Sequence, residues 1–260
     1  MKSTRKIITI VIITALIIAR FLYLDQDAPA YMIGGITQED EPYYCLGAIS
    51  RYNADQDRVI KGLEPINGDG LMLYSSHIVY LSLKIFGNTY WGLRLPCVLI
   101  SLCIILLLYD ILRRQKVDKT ILLLVMLYMF TDFYFFMFSR FETPQIYSML
   151  AITWVLWLYF KYGMASNRGI FLIGFFVFFS VSFIYAYNAF LIMVFGLLSV
   201  FQSCNQKSVK PLVFFSSGII TCMLLYLGTL MAINSSVGEL ITVLSGHGGG
   251  IEGVKSSEML

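Results

Sequence analysis

Residues Tyr90–Lys119 read YWGLRLPCVLISLCIILLLYDILRRQKVDK. From Tyr90 to Leu112 the only charges are Arg94 near the start and Asp110 near the end. A run of about 20 apolar residues is what a helix needs to cross roughly 30 Å of hydrocarbon. Four cations follow at once: Arg113, Arg114, Lys116 and Lys119. Short cytoplasmic loops carry an excess of Lys and Arg. The stretch therefore reads as a membrane helix with its far end in the cytoplasm.

The rest of the chain agrees. Hydrophobic residues make up 58% of its 260 positions and charged residues 13%. A soluble domain is roughly 25% charged, and one of this length could not hide so much apolar surface. A bilayer removes the difficulty by serving as the solvent. The net charge of +3 is too small to suggest a nucleic-acid partner. The expected fold class is an all-α polytopic membrane protein.

Ile7–Leu24 follows the basic flank Lys2, Arg5, Lys6. A signal peptide has the same outline, but no small-x-small cleavage site follows closely, and Ala28-Pro29-Ala30 holds proline at its centre. The run reads as a retained first helix with the amino terminus inside. Further spans are expected at Tyr90–Leu112, Thr120–Phe138, Pro144–Tyr162, Ile170–Tyr187, Ala189–Phe201 and Leu212–Ile233, which makes seven. Tyr185-Ala186-Tyr187-Asn188 supplies the only polar break between the fifth and sixth.

Leu71–Phe86 is ambiguous, and loop charge arbitrates. If it does not span, the short cytoplasmic segments hold Lys2, Arg5, Lys6, Arg113, Arg114, Lys116, Lys119, Lys161, Arg168, Lys207 and Lys210, with only Asp110 and Asp118 as acids. If it spans, every later basic loop moves outside. It reads as an interfacial or re-entrant helix on the outer face. The expected organisation is a transmembrane module over 1–235 and a flexible, glycine-rich outer tail over 236–260. The tail carries Gly246-His247-Gly248-Gly249-Gly250.

The five cysteines do not suggest a disulfide framework, since Cys45 alone is expected outside. The two histidines, His77 and His247, offer no zinc spacing.

The outer loop Asp25–Gly70 is acidic without being repetitive. Asp40 is a suitable N-cap, and Pro42 fits a first helical turn. An amphipathic helix is expected over about 41–53, with Leu46, Ile49 and Tyr52 on its apolar side. Asp40, Tyr44, Gly47 and Arg51 recur at intervals of four, three and four and share a face. Taken alone, an Asp-Glu pair before a helix is usually a solvated cap. Arg94 at a span's start can be a headgroup anchor, and Arg140 with Glu142 can be a simple ion pair. Asp132, within the third expected span, is costly at membrane depth and is a functional candidate ranked behind Asp40.

The order of these elements resembles the GT-C superfamily of membrane glycosyltransferases, in the branch of aminoarabinose transferases and protein O-mannosyltransferases. That branch has Asp-Glu-x-x-Tyr after its first helix; here stands Asp40-Glu41-Pro42-Tyr43-Tyr44. It continues with Pro-Pro-Leu-Tyr, Leu-Phe-Gly and Arg-Leu-Pro. This chain has Leu71-Met72-Leu73-Tyr74, then Ile85-Phe86-Gly87, then Arg94-Leu95-Pro96. An Arg followed by an acid at a later span's outer end matches Arg140-Phe141-Glu142. The departures are the missing Pro-Pro pair and the absence of a lysine from Gly68-Asp69-Gly70. The likeness covers about residues 7–235, the family's amino-terminal seven-span module; members usually continue for hundreds of residues more.

The resemblance implies transfer of a sugar from a polyprenyl-phosphate donor to a glycan, lipid or protein acceptor outside the cytoplasm, in the plasma (inner) membrane. It implies Asp40 as general base, with Glu41 orienting the acceptor or holding Asp40. Arg140, Arg51, Arg94, Tyr44 and Glu142 would bind substrate and lipid phosphate. Some relatives use a divalent cation and others do not, so a metal cofactor stays open. Two other readings also remain: a non-catalytic scaffold or partner subunit keeping the fold, and a transporter. The latter would place charged or broken-helix sites at mid-membrane.

Overall fold

The structure is a computed structural model that describes residues 13–22, 48, 52, 73–132, 135–136, 139–140, 144–164, 166–184 and 186–233. Every regular element among them is helical. They are α1 (13–21), α2 (Leu73–Phe86), α3 (Tyr90–Arg114), α4 (Lys119–Thr131), α5 (Pro144–Tyr162), α6 (Asn167–Phe179), α7 (Phe190–Gln206) and α8 (Lys210–Ile233). A wider π-type turn, Ser180–Ile184, extends α6, and a 3₁₀ turn, Ala186–Ala189, leads into α7.

The connections α2–α3, α3–α4, α5–α6 and α7–α8 are short and closed by local chemistry. Thr89 caps α3 by accepting from the Gly92 amide at 3.1 Å, and Ser166 caps α6 by accepting from the Gly169 amide at 3.2 Å. Lys116 and Lys207 take the left-handed conformation, with φ of 56° and 47°. Behind them Val117 N–H reaches Leu112 O and Lys116 N–H reaches Arg113 O. Ser208 N–H and Lys207 N–H reach Ser203 O and Cys204 O in the same way. This paired pattern satisfies the last carbonyls of a helix. Both turns thus reverse the chain tightly at one end of the bundle, which is called the Lys116 end below; α3 begins at the opposite, Arg94 end.

Three helical stretches are long and apolar enough to cross a membrane: Tyr90–Arg114, Asn167–Ile184 and Lys210–Thr229. Lys119–Thr131 and Phe190–Gln206 are apolar but shorter. By helix length, then, the described residues do not reproduce the count of seven. One reason is specific. The expected third span, Thr120–Phe138, is broken. The α4 helix stops at Thr131, and Asp132 turns extended with φ −61° and ψ 123°. The Asp132 carboxylate then accepts from the Phe135 amide at 2.8 Å and starts a new helical turn. Aspartate offers the backbone a local partner that competes with the helix. At 14 residues, α2, which is not among the seven expected spans, is too short to cross.

Two clusters form the core. One gathers Cys97, Ile100, Ile104 and Ile105 of α3, Met126 and Phe130 of α4, and Ile146 and Tyr147 of α5, with Leu16 and Ile17 of α1 against it. The other joins α5, α6, α7 and α8 through Val155, Leu158, Ile173, Val177, Phe195 and Phe215. The α6–α8 seam is the most extensive. A methyl at Gly174 would collide with the Phe215 carbonyl, and one at Gly218 with the Phe171 carbonyl. Lipid tails are as apolar as side chains, so helices in a membrane associate by close packing, and small residues permit it. A third, small cluster seats Ala48 and Tyr52 of the first loop against Val79, Tyr80 and Leu83 of α2 and Leu93 of α3. Both loop residues are helical and four apart, hence on one face.

Candidate functional site

Charge buried in an apolar bundle marks where the chain spends stability on something other than packing. The buried cations among the described residues are Arg20, Arg94 and Arg140, exposed by 0%, 2% and 5%.

Arg20 lies at the end of α1. Its Nη1 donates to Ser139 Oγ at 2.5 Å and to Ser101 Oγ at 3.4 Å, and its Nη2 donates to Met129 O at 3.0 Å. Met129 belongs to the last turn of α4, where carbonyls lack helical partners and the helix dipole favours a cation. The rings of Phe130, Phe135 and Phe136 surround the guanidinium at 5.5, 4.9 and 5.5 Å, a geometry suited to cation–π attraction. The Nε finds no hydrogen-bond partner among the described residues.

Arg140 answers from the other side. Its Nη1 donates to Ala19 O at 3.1 Å and its Nη2 to Leu22 O at 2.6 Å, both at the carboxyl-terminal end of α1. Its guanidinium also lies 5.0 Å from the Phe136 ring. The two arginines are close enough for their charges to act on each other. Arg140 thus reaches backbone carbonyls of the segment that bears Arg20, while Arg20 reaches the Ser139 hydroxyl beside Arg140. Ser139 completes the clasp, since its hydroxyl donates to Phe136 O at 2.6 Å while accepting from Arg20.

Ser101 sits about halfway along α3, so the clasp lies beside the middle of that helix. Arg94 is seven residues earlier on the same face, about 10 Å along the axis, with its guanidinium 4.7 Å from the Tyr90 ring. Ser139 and Arg140 follow the break at Asp132.

Of the residues expected from the sequence, Arg140 and Arg94 are therefore buried cations, the first in the clasp and the second farther along α3. Asp132 is a capping residue at the break. Asp40, Glu41, Tyr44, Arg51 and Glu142 lie outside the described residues, as do the tail 236–260 and most of the expected 41–53 helix. The sequence reading passed over Arg20. Its signal was a lone cation inside the apolar run Ile7–Leu24. Among the described residues no three His, Cys, Asp or Glu side chains gather as metal ligands, and Cys103, Cys204 and Cys222 are free thiols.

At the Lys116 end, Asp110 accepts from Trp157 Nε1 at 2.8 Å and from Arg114 Nε at 2.6 Å. Lys161 lies 4.1 Å from the Trp157 ring. This ties α3 to α5 where the helices end.

No curated protein and no solved structure matches the chain. The family model described as dolichyl-phosphate-mannose-protein mannosyltransferase matches residues 73–232, more than half of the 260. The match begins at α2, includes the α3 helix with Arg94 and the broken segment with Arg140, and ends near the close of α8. With buried arginines inside an all-helical, strongly apolar bundle, that match identifies the chain as an integral membrane protein of the dolichyl-phosphate-mannose-protein mannosyltransferase family, of GT-C type.

Proposed function

We propose that the chain transfers a sugar from a polyprenyl-phosphate donor to an acceptor hydroxyl on the extracytoplasmic side of the membrane. Family membership over residues 73–232 is the observation that carries this reading. In the proposed step Asp40 takes the proton as the acceptor oxygen attacks the anomeric carbon. The bond from that carbon to the phosphate oxygen breaks, and the polyprenyl phosphate departs. Charge grows on the phosphate, where pre-placed cations stabilise the transition state most. Arg140 leads for that role, with Arg94 and Arg51 behind it. Glu41 and Tyr44 would hold the acceptor, and Glu142 would orient Arg140. The proposed topology is seven spans with the amino terminus and the basic loops inside, α2 at the outer interface, and the plasma (inner) membrane as the location.

The break at Asp132, beside the middle of α3, is a feature a transporter would also use. Transfer in nanodiscs from a panel of polyprenyl-phosphate sugars separates the two. Transfer by the wild type that Asp40→Asn abolishes, with the fold intact, supports the glycosyltransferase and the base. Transfer that survives Asp40→Asn removes Asp40 as base. Absence of transfer with every donor argues for a non-catalytic subunit or a transporter.

A further inference from the structure

We infer that Arg20 is a positioning residue for the transfer reaction, acting through the Ser139–Arg140 turn; this rests on the glycosyltransferase reading above. Arg140, the leading cation for the departing phosphate, lies in the segment between the end of α4 at Thr131 and the start of α5 at Pro144, and a contact from another element can fix its place. Arg20 does so from α1: it holds Ser139, the residue next to Arg140, and the end of α4 at Met129 O. The guanidinium fork suits this task, since its Nη1 and Nη2 engage three acceptors at once. A lysine keeps the charge and loses the fork.

The same contact works in reverse. Arg140 holds the Ala19 and Leu22 carbonyls, and α1 runs directly into the first loop, which carries Asp40. One clasp thereby anchors both the turn bearing the candidate phosphate cation and the starting point of the segment bearing the candidate base. A displacement of about 1 Å in such a frame can cost about 100-fold in rate.

The experiment uses the full chain in nanodiscs and compares wild type, Arg20→Lys, Ser139→Ala and the double variant. For each, kcat, donor KM and melting temperature are measured, with rates normalised to folded protein. Positioning predicts that Arg20→Lys and Ser139→Ala each lower kcat by about 10- to 100-fold with donor KM little changed. It also predicts a double variant no slower than the worse single one, because both cut one connection. Ser139→Ala is the mild partner in case Arg20→Lys folds poorly. A rise in donor KM with kcat unchanged in Arg20→Lys, and a silent Ser139→Ala, would mean that Arg20 meets the donor directly and would overturn the inference. Lower melting temperatures with normal rates per folded molecule would overturn it too, leaving a purely structural clasp. A wild type inactive with every donor sinks the parent reading and the catalytic sense of the clasp together. Non-additive melting temperatures then still establish that the contact exists.

Discussion

Single residues show how this chain places polar chemistry in an apolar body. Asp118 and Asp132 both cap helical turns, yet in different surroundings. Asp118, exposed before α4, accepts from the Thr120 amide at 2.8 Å. Hydrogen bonding from the Thr120 amide, then from its hydroxyl, holds the Asp118 carboxyl below the ordinary aspartate range. A carboxyl depressed in the folded state stabilises fully above its unfolded pKa of about 3.9, and that stabilisation is lost as pH falls through the folded value. Thermal melts in nanodiscs between neutral and strongly acidic pH should therefore lose stability on the acid side, and Asp118→Asn should flatten that limb. An unchanged acid limb in Asp118→Asn would remove the carboxylate from the account. Asp132 bonds the Phe135 amide inside the bundle, and Asp132→Ala should cost about 1 kcal/mol, the usual worth of a cap. The sequence marked Asp132 as unusual, because an acid in an apolar run is conspicuous. It could not say that the carboxylate accepts from the Phe135 amide, since that depends on which amide stands beside it. Arg20 shows the opposite failure: near the end of an apolar run, a buried arginine and a headgroup-seeking one look alike until their acceptors, on α3, α4 and the following turn, are in place.

At the scale of elements, the bundle is decided by helix ends and by one close crossing. Long apolar runs located α3, α5 and α8 to within two residues of the expected spans, and α6 with its wide turn and α7 to within five, because such runs bounded by Lys and Arg have few other readings. They misjudged the segment after Thr131, where hydropathy continues to Phe138 while one aspartate breaks the backbone pattern. The Gly174–Gly218 crossing was not legible either, since glycine in an apolar run signals close approach only once the partner helix is known. It yields a sharp test. Gly174→Leu or Gly218→Leu pushes a side chain into the backbone of the facing helix, and overpacking of this kind costs about 1–3 kcal/mol. Melting should fall accordingly in detergent, whereas Gly228→Ala, which meets nothing within 4 Å, should leave it nearly unchanged. The two left-handed lysines give the opposite sign. Left-handed backbone costs a residue with a side chain about 1 kcal/mol that glycine avoids, so Lys116→Gly or Lys207→Gly should raise the melting temperature slightly. A decrease would mean that the lysine side chains contribute more than their backbone strain costs.

For the whole molecule, one chemical asymmetry organises everything else. The Lys116 end collects Arg113, Arg114, Lys116, Lys119, Lys161, Arg168, Lys207 and Lys210 in short turns, while the buried arginines lie beside the middle of α3 and toward its start. A membrane protein reads such a difference as orientation, because short segments rich in Lys and Arg stay in the cytoplasm. If so, the clasp and Arg94 are reached from the outside, where a lipid-linked sugar and its acceptor would meet. Cys204 allows this to be measured directly. It is exposed near the end of α7, three residues before Lys207. A variant retaining Cys204 as its only cysteine should resist a membrane-impermeant maleimide in intact cells and react after lysis, whereas a permeant maleimide should label it in both. A companion variant retaining only Cys45, in the first loop, should react with the impermeant reagent without lysis. Labelling of Cys204 from outside would invert the bundle, put the basic turns on the extracytoplasmic face, and leave the buried arginines unreachable by a donor presented there. The proposed reaction could not survive that result, since its base, its cations and its acceptor must all meet on one side of the membrane.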